Sequence, residues 1–300
     1  MKIVNREGHE IQFDQSQNRL LQKLYGNVLG RLILKVLTLP FITQFGGWYM
    51  NSPLSKGRIS SFVKKNHIDM SQYEDKEYQN YNDFFTRKVI SCKRPIMSNK
   101  NALISPCDGK VLAYTINDDL TLKIKDSYYS IDTLVNESIM EEYKGGSALV
   151  FRLSTDNYHR YCYIDSGTKG KNYHIKGVFH TVQPISLKNY NFFKTNSREY
   201  TILNTNNFDK VIQVEVGALM VGRIKNNHEE YEYKKGEEKG YFEFGGSTIV
   251  LLFKKGVITL DNDILENSKE NIETIVKYGE KIGKNTFITK VKSTIKFIVK

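Results

Sequence analysis

From Ala102 onward the chain is a succession of short β-branched and aromatic runs, each closed by Gly, Asp or Asn. ALIS, GKVLAYTI, LKIK, ALVFRL, HRYCYI, VFHTV, REYTIL, KVIQVEV, ALMVGRI, YFEF, STIVLLF and GVITL follow one another. Segments this short and this often interrupted cannot make long helices. They predict a mostly antiparallel sheet, folded as a sandwich or barrel-like body. Val216 to Gly222 is rich in small residues, as expected where strands approach closely.

The first hundred residues read differently. Leu20 to Met50 concentrates apolar residues, but Lys23, Arg31 and Lys35 interrupt it and Pro40 breaks it. No run approaches the ~20 apolar residues of a membrane span. Leu29, Leu32, Ile33, Val36 and Leu37 fall on one helical stripe, and Arg31 and Lys35 share a face. Two placements stay open for that helix. It lies in a membrane surface, with Trp48 and Tyr49 at headgroup level, or it packs against a protein core. Further helices are predicted over residues 56–66 and about 78–89. The expected class is therefore α+β: a helical, membrane-associating region over residues 1–100, then a β-rich body over residues 101–300. The basic tail over residues 286–300 reads as an edge strand guarded by lysines or as a lipid-seeking segment.

Composition narrows the function classes. Hydrophobic residues are 40% and charged residues 26% of the 300, which excludes a disordered chain. A mean hydropathy of −0.46 excludes a multi-span membrane protein. Lysine and arginine exceed aspartate and glutamate by 44 to 33, a net charge of +11. That excess points to an anionic partner, either lipid or nucleic acid. Cys92, Cys107 and Cys162 show no CxxC spacing, and an odd count makes no disulfide framework, so a reducing, cytosolic side is expected. Met1 to Gln17 is polar and unlike a secretory signal. His9, His67, His174 and His228 are scattered without ligand spacing, so no metal is expected.

Three segments carry possible chemistry. YFEFGGSTIVLLF, Tyr241 to Phe253, reads first as a hairpin turning at Gly-Gly. It also has a reactive use, because glycines permit a strained, close backbone approach. The Ser247 hydroxyl follows a glycine carbonyl and can attack it. An N→O acyl shift gives an ester, and elimination followed by hydrolysis leaves a pyruvoyl group and ammonia. In SPCDGKV, Ser105 to Val111, Asp108 belongs to a tight turn or orients a histidine. In DNYHRYCYIDSG, Asp156 to Gly167, His159 is a structural histidine or handles protons near neutrality.

In order, YNDFFTRKVISCKRPI, SPCDGKV, TDNYHRYCYIDSG, VEVGALMVGRI and KGYFEFGGSTIVLLF resemble the phosphatidylserine decarboxylases, pyruvoyl-dependent lipid enzymes. The resemblance runs from about Ser52 to Gly283. It implies self-cleavage between Gly246 and Ser247 into a heterodimer of the protein's own chains, residues 1–246 and 247–300. Ser247 would become the pyruvoyl cofactor, which forms a Schiff base with the substrate. Asp108 matches the aspartate that supports the base used in cleavage, and His159 the histidine that handles protons at the substrate. The implied reaction converts phosphatidylserine to phosphatidylethanolamine and carbon dioxide, at the cytoplasmic face of the cell membrane as a peripheral protein. An anionic membrane surface then accounts for the net charge, and no nucleic acid is expected.

The family usually reads Y-H-R-x-H, and the second histidine is normally the base for the serine; Cys162 stands there. Residues 159 and 162 face opposite ways in a regular strand, so His159 does not simply inherit the role. Cys162 as a poor base, His174 or His180 from a neighbouring strand, and Asp108 working with His159 across a bulge all stay open. So does a chain that matures slowly or never. The matched pair Asp108 and His159 is favoured. Competing classes are a non-catalytic lipid-binding relic, a nucleic-acid binder without a recognised motif, and a pyruvoyl-dependent amino-acid decarboxylase.

Overall fold

The computed structural model describes residues 2–11, 27, 30, 33, 40–124, 127–131, 134–135, 138–177, 196–217, 223–245 and 247–286. The expected VFHTV strand with His180, the tail beyond Thr286, most of the 29–37 stripe, and Gly246 lie outside the described residues.

The strands around the site are β1 (Gly109–Thr115), β2 (Ser147–Leu153), β3 (Arg160–Cys162) and β4 (Arg198–Thr205). They are followed by β5 (Lys210–Gly217), β6 (Ile224–Asn226), β7 (Glu238–Phe242), β8 (Ser247–Phe253) and β9 (Glu273–Val276). A ten-stranded sheet runs β9-β1-β2-β8-β5-β4 through its centre, each neighbour antiparallel to the next. Ile3–Val4 adds a parallel strand at the β9 edge, and short strands at Gly167–Lys169, Tyr173–Ile175 and Tyr231–Tyr233 extend the β4 side. A second sheet, β6-β7-β3, is separate. A third joins Ile258–Leu260, Lys281–Asn285 and Ala102–Ile104. The sheets are open rather than closed into a barrel, and α+β with mainly antiparallel strands is the observed class.

The β8 sequence STIVLLF explains its position. All seven residues are buried, and an apolar run without alternation requires cover on both faces. On one face Leu149, Phe151, Leu153, Ile249 and Leu251 share a core with Tyr161, Cys162 and Phe242 of the second sheet. On the other, Val150, Val250, Leu252, Val214 and Val216 pack with Ile131, Leu134, Val135 and Tyr143. Gly240 lets β7 pass close to β6, since a Cβ there would collide with the Lys225 carbonyl oxygen.

The Gly-Gly segment is not a hairpin. β7 pairs with β3 and β6, whereas β8 pairs with β2 and β5, so the chain changes sheets between Phe242 and Ser247.

Helices α1 (Pro40–Met50), α2 (Arg58–Lys65), α3 (Tyr81–Phe85) and α4 (Asn262–Lys269) complete the frame. The helix expected over 78–89 is shorter. Asn80 caps its start by accepting from the Asp83 N–H at 2.9 Å, and after Thr86 the chain straightens so that Val89 bridges Tyr73.

Candidate active site

Ser247 begins β8 opposite Leu153 of β2 and Gly217 of β5, in the middle of the large sheet. It is fully buried, and among the described residues its hydroxyl has no hydrogen-bond partner. An unsatisfied buried hydroxyl costs about 1–3 kcal/mol, so its persistence asks for a chemical reason. Gly245 has φ +143°, a conformation that excludes most side chains. Two hydrogen bonds clamp the approach to Ser247. The Phe242 N–H donates to the His159 carbonyl at 3.0 Å, and the Phe244 N–H to the Asn82 Oδ1 at 3.0 Å.

His159 lies just before β3, at the end of the loop that leaves β2 after Leu153, so it comes to the same end of the sheet as Ser247. It is fully buried, with its ring against Phe85, centroids 4.1 Å apart, and Phe85 in turn meets Phe244 at 5.3 Å. Nδ1 lies 2.8 Å from the Asn157 carbonyl oxygen, which accepts, so Nδ1 carries the proton and Nε2 keeps a lone pair. Nε2 is enclosed and, among the described residues, without a partner. Burial, helped by the Arg87 cation, lowers the imidazole pKa to about 3, so the ring is neutral. One enclosed donor, the Ser247 hydroxyl, and one enclosed acceptor, His159 Nε2, are both unsatisfied here.

Asp108 has other partners. Arg94 holds its carboxylate through Nε at 2.8 Å and Nη2 at 2.6 Å, and the Tyr278 N–H donates to Oδ1 at 2.8 Å. Asp108 and His159 therefore share no hydrogen bond. The sequence pattern put the two together; the fold gives each a different partner. Removing one member of a buried ion pair strands the other charge, so Arg94→Met is expected to cost about 3 kcal/mol. Urea unfolding of the Ser247→Ala chain, with and without Arg94→Met, measures this.

Cys162 packs against the Ser105–Pro106 segment that leads to Asp108. Its N–H donates to the Pro106 carbonyl at 2.9 Å and its Sγ lies 3.8 Å from the Ser105 oxygen. Burial pushes the thiol up to about 12, so it stays protonated at neutral pH. His174 is half-exposed on the far side of β4, 3.6 Å from Glu199.

Sequence reasoning missed several groups. Arg94 was visible in the C-K-R-P-I word, but nothing there marked it as the partner of Asp108. Phe85 and Asn82 stand in the YNDFFTRK word, but nothing there marks them as covering His159 and holding Phe244. Glu215 of β5 and Lys239 of β7, a wholly buried ion pair at 2.9 Å, had no signal, because only the facing of two sheets brings them together.

A family profile described as phosphatidylserine decarboxylase matches residues 81–284, which holds all of these groups. A protein of Clostridium acetobutylicum named phosphatidylserine decarboxylase proenzyme 2 is 50% identical over 284 residues, 94% of this chain and 97% of its own. Proteins named phosphatidylserine decarboxylase proenzyme from Clostridium tetani and Clostridium botulinum are 41% and 40% identical over 291 residues, covering 95% and 94% of this chain and 98% and 99% of theirs. With both the profile and full-length relatives in agreement, the chain belongs to the phosphatidylserine decarboxylase family.

Proposed function

We propose that this chain is made as a proenzyme, cleaves itself between Gly246 and Ser247, and as the two-chain protein decarboxylates phosphatidylserine to phosphatidylethanolamine. The observation that carries this is the enclosed, unsatisfied Ser247 hydroxyl at the head of a central strand, entered through a left-handed Gly245. In the cleavage, His159 Nε2 takes the hydroxyl proton while its Nδ1–H stays on the Asn157 carbonyl. Asp108 keeps the Arg94–Tyr278 side of the site in place.

A pyruvoyl group derived from Ser247 fits here, since the residue is enclosed and none of its neighbours claims its side-chain oxygen. Such a group supplies an electron sink for the carbanion left by departing carbon dioxide. The chain's own part is to exclude water with Phe85, Phe244 and Tyr81, whose rings close over this end of the sheet. The two products, residues 1–246 and 247–300, stay together because β8 is paired on both sides. Intact mass of the purified protein tests the proposal: two chains, the smaller beginning with pyruvate, are expected. A single chain with decarboxylase activity overturns it.

The N-terminal helices support a peripheral membrane location. Among the described residues no helix is long and apolar enough to cross a membrane. Phe45 and Trp48 of α1 stack at 5.7 Å and are 60% and 61% exposed, and Leu54 is 74% exposed. Exposed Arg58, Lys64 and Lys65 of α2 follow. The same unit leads inward: Met50, Tyr81, Phe85 and Phe244 form one cluster, and the Ser55 hydroxyl joins the Met50 carbonyl at 3.0 Å to the Tyr81 N–H at 2.9 Å. A lipid surface held at α1 is therefore one layer from Phe244 and the cut. This arrangement supports reading residues 1–100 as a membrane-associating region, with Asn82, Phe85 and Arg94 reaching into the catalytic body over 101–300. Phe45→Ala with Trp48→Ala is expected to weaken sedimentation with phosphatidylserine vesicles about tenfold or more, because two large apolar anchors are lost. Unchanged sedimentation removes α1 from the membrane contact.

A further inference from the structure

Glu215 and Gln213 of β5 share a face with Ser247. Gly217 is the register partner of Ser247 and Glu215 that of Ile249, so Glu215 and Ser247 are diagonal neighbours on one side of the sheet. Diagonal pairs have Cβ atoms ~7–8 Å apart, within reach of a long side chain. Both Glu215 and Gln213 are fully buried. Glu215 Oε1 accepts from Lys239 Nζ and from Gln213 Nε2, each at 2.9 Å. Lys239 Nζ donates also to Asn226 Oδ1 at 2.6 Å. Among the described residues, Glu215 Oε2 and Gln213 Oε1 have no partner.

Two buried acceptors with free lone pairs, beside a residue that becomes a ketone, ask for a donor that arrives from outside. A single lysine leaves the second carboxylate oxygen unpaired, and an ammonium group provides N–H donors to complete it. We propose that Glu215 is a catalytic residue that receives the amino group of the substrate, its Oε2 accepting an N–H from the incoming ammonium and then its proton. The step rests on the proposed decarboxylase function. The N–H bond breaks, its electron pair stays on nitrogen, and an O–H bond forms on Oε2. A free amine and a neutral Glu215 result, with Lys239 still cationic. A ketone reacts only with the free amine, so this transfer has to precede the chemistry.

The surroundings suit the exchange. Burial raises the carboxyl pKa of Glu215, which moves it toward that of an amine, while the Lys239 cation and the Gln213 amide hold the ionised form ready. The other groups facing it are Glu199 of β4, Tyr161 of β3, Tyr163 just beyond, and Lys169. Lys169 is engaged by the His228 and Glu229 carbonyls.

The test uses the mature two-chain protein with phosphatidylserine in detergent micelles. Borohydride reduction fixes the lipid amine covalently to the 247–300 chain, and mass spectrometry reads the fraction modified. Glu215→Gln is expected to separate into chains as the parent does, while the fraction trapped at neutral pH falls roughly tenfold or more. Trapping is expected to recover above about pH 9, where an amine sheds its proton unaided. If that variant does not fold, Glu215→Gln with Lys239→Met removes both charges and takes the same readings. Unchanged trapping at neutral pH, or a loss that high pH does not restore, overturns the role of Glu215 alone. A parent that remains one chain overturns the decarboxylase reading and this proposal with it.

Discussion

Replacing Ser247 with alanine is expected to leave a single chain of full length that releases no carbon dioxide from phosphatidylserine. Alanine has no nucleophile to attack the preceding carbonyl and no oxygen to become a ketone. The loss is therefore complete rather than partial, and denaturing electrophoresis with a carbon dioxide assay reads both halves of it. The fold is expected to survive the change. The hydroxyl has no partner to lose, so removing it relieves a buried unsatisfied group. Thermal unfolding of the alanine form at or above the temperature of the uncut parent checks this point. A Ser247→Ala protein that still decarboxylates removes Ser247 from the mechanism.

Exchanging Cys162 for histidine is expected to speed chain separation by an order of magnitude or more. In the parent, the two candidate bases are both poor. The thiol at 162 is held protonated up to about 12, and His159, lowered to about 3, is a weak acceptor although its lone pair is free. An imidazole at 162 stands near the Asp108 segment, whose negative charge favours the protonated ring and so strengthens it as a base. The sign in pH follows from these directions. His159 is neutral well above pH 3, so maturation of the parent through it is flat from about pH 5 to 9. Maturation through the Cys162 thiolate climbs roughly tenfold per pH unit over the same range. The Cys162→His protein is expected to slow as pH falls through the pKa of the new ring. Incubating freshly made chain at several pH values and following the cut by electrophoresis measures all three. No acceleration in Cys162→His shows that another group already does the work.

The β body was legible because its signals are local. KVIQVEV, REYTIL and STIVLLF carry strand propensity along their whole length, and the turn residues between them mark their ends. The strand Glu273–Val276 was missed, since ETIV is short, follows the α4 helix directly and offers no alternation. The helix expected to reach Val89 stopped at Phe85 because Val89 pairs with Tyr73, a contact between residues that propensity treats separately. The same division holds at the site. Ser247, His159 and Asp108 each stand in a recognisable word, so each could be singled out as a candidate. Their partners could not. Asp108 meets Arg94 fourteen positions away, and Glu215 meets Lys239 only because two sheets face each other. Pairings made by tertiary packing leave no trace in spacing along one chain.

The position of β8 decides what unfolding means for the mature protein. It is hydrogen-bonded to β2 on one side and β5 on the other, so the proposed cut before Ser247 would release no edge, and the smaller fragment would be held by a full strand on each flank. Once both fragments are denatured, however, rebuilding that central ladder becomes an encounter between two molecules. The midpoint of a denaturation curve then shifts with protein concentration, as it does for an obligate dimer. A thermodynamic comparison of variants is therefore made on the uncut alanine form, where refolding is unimolecular.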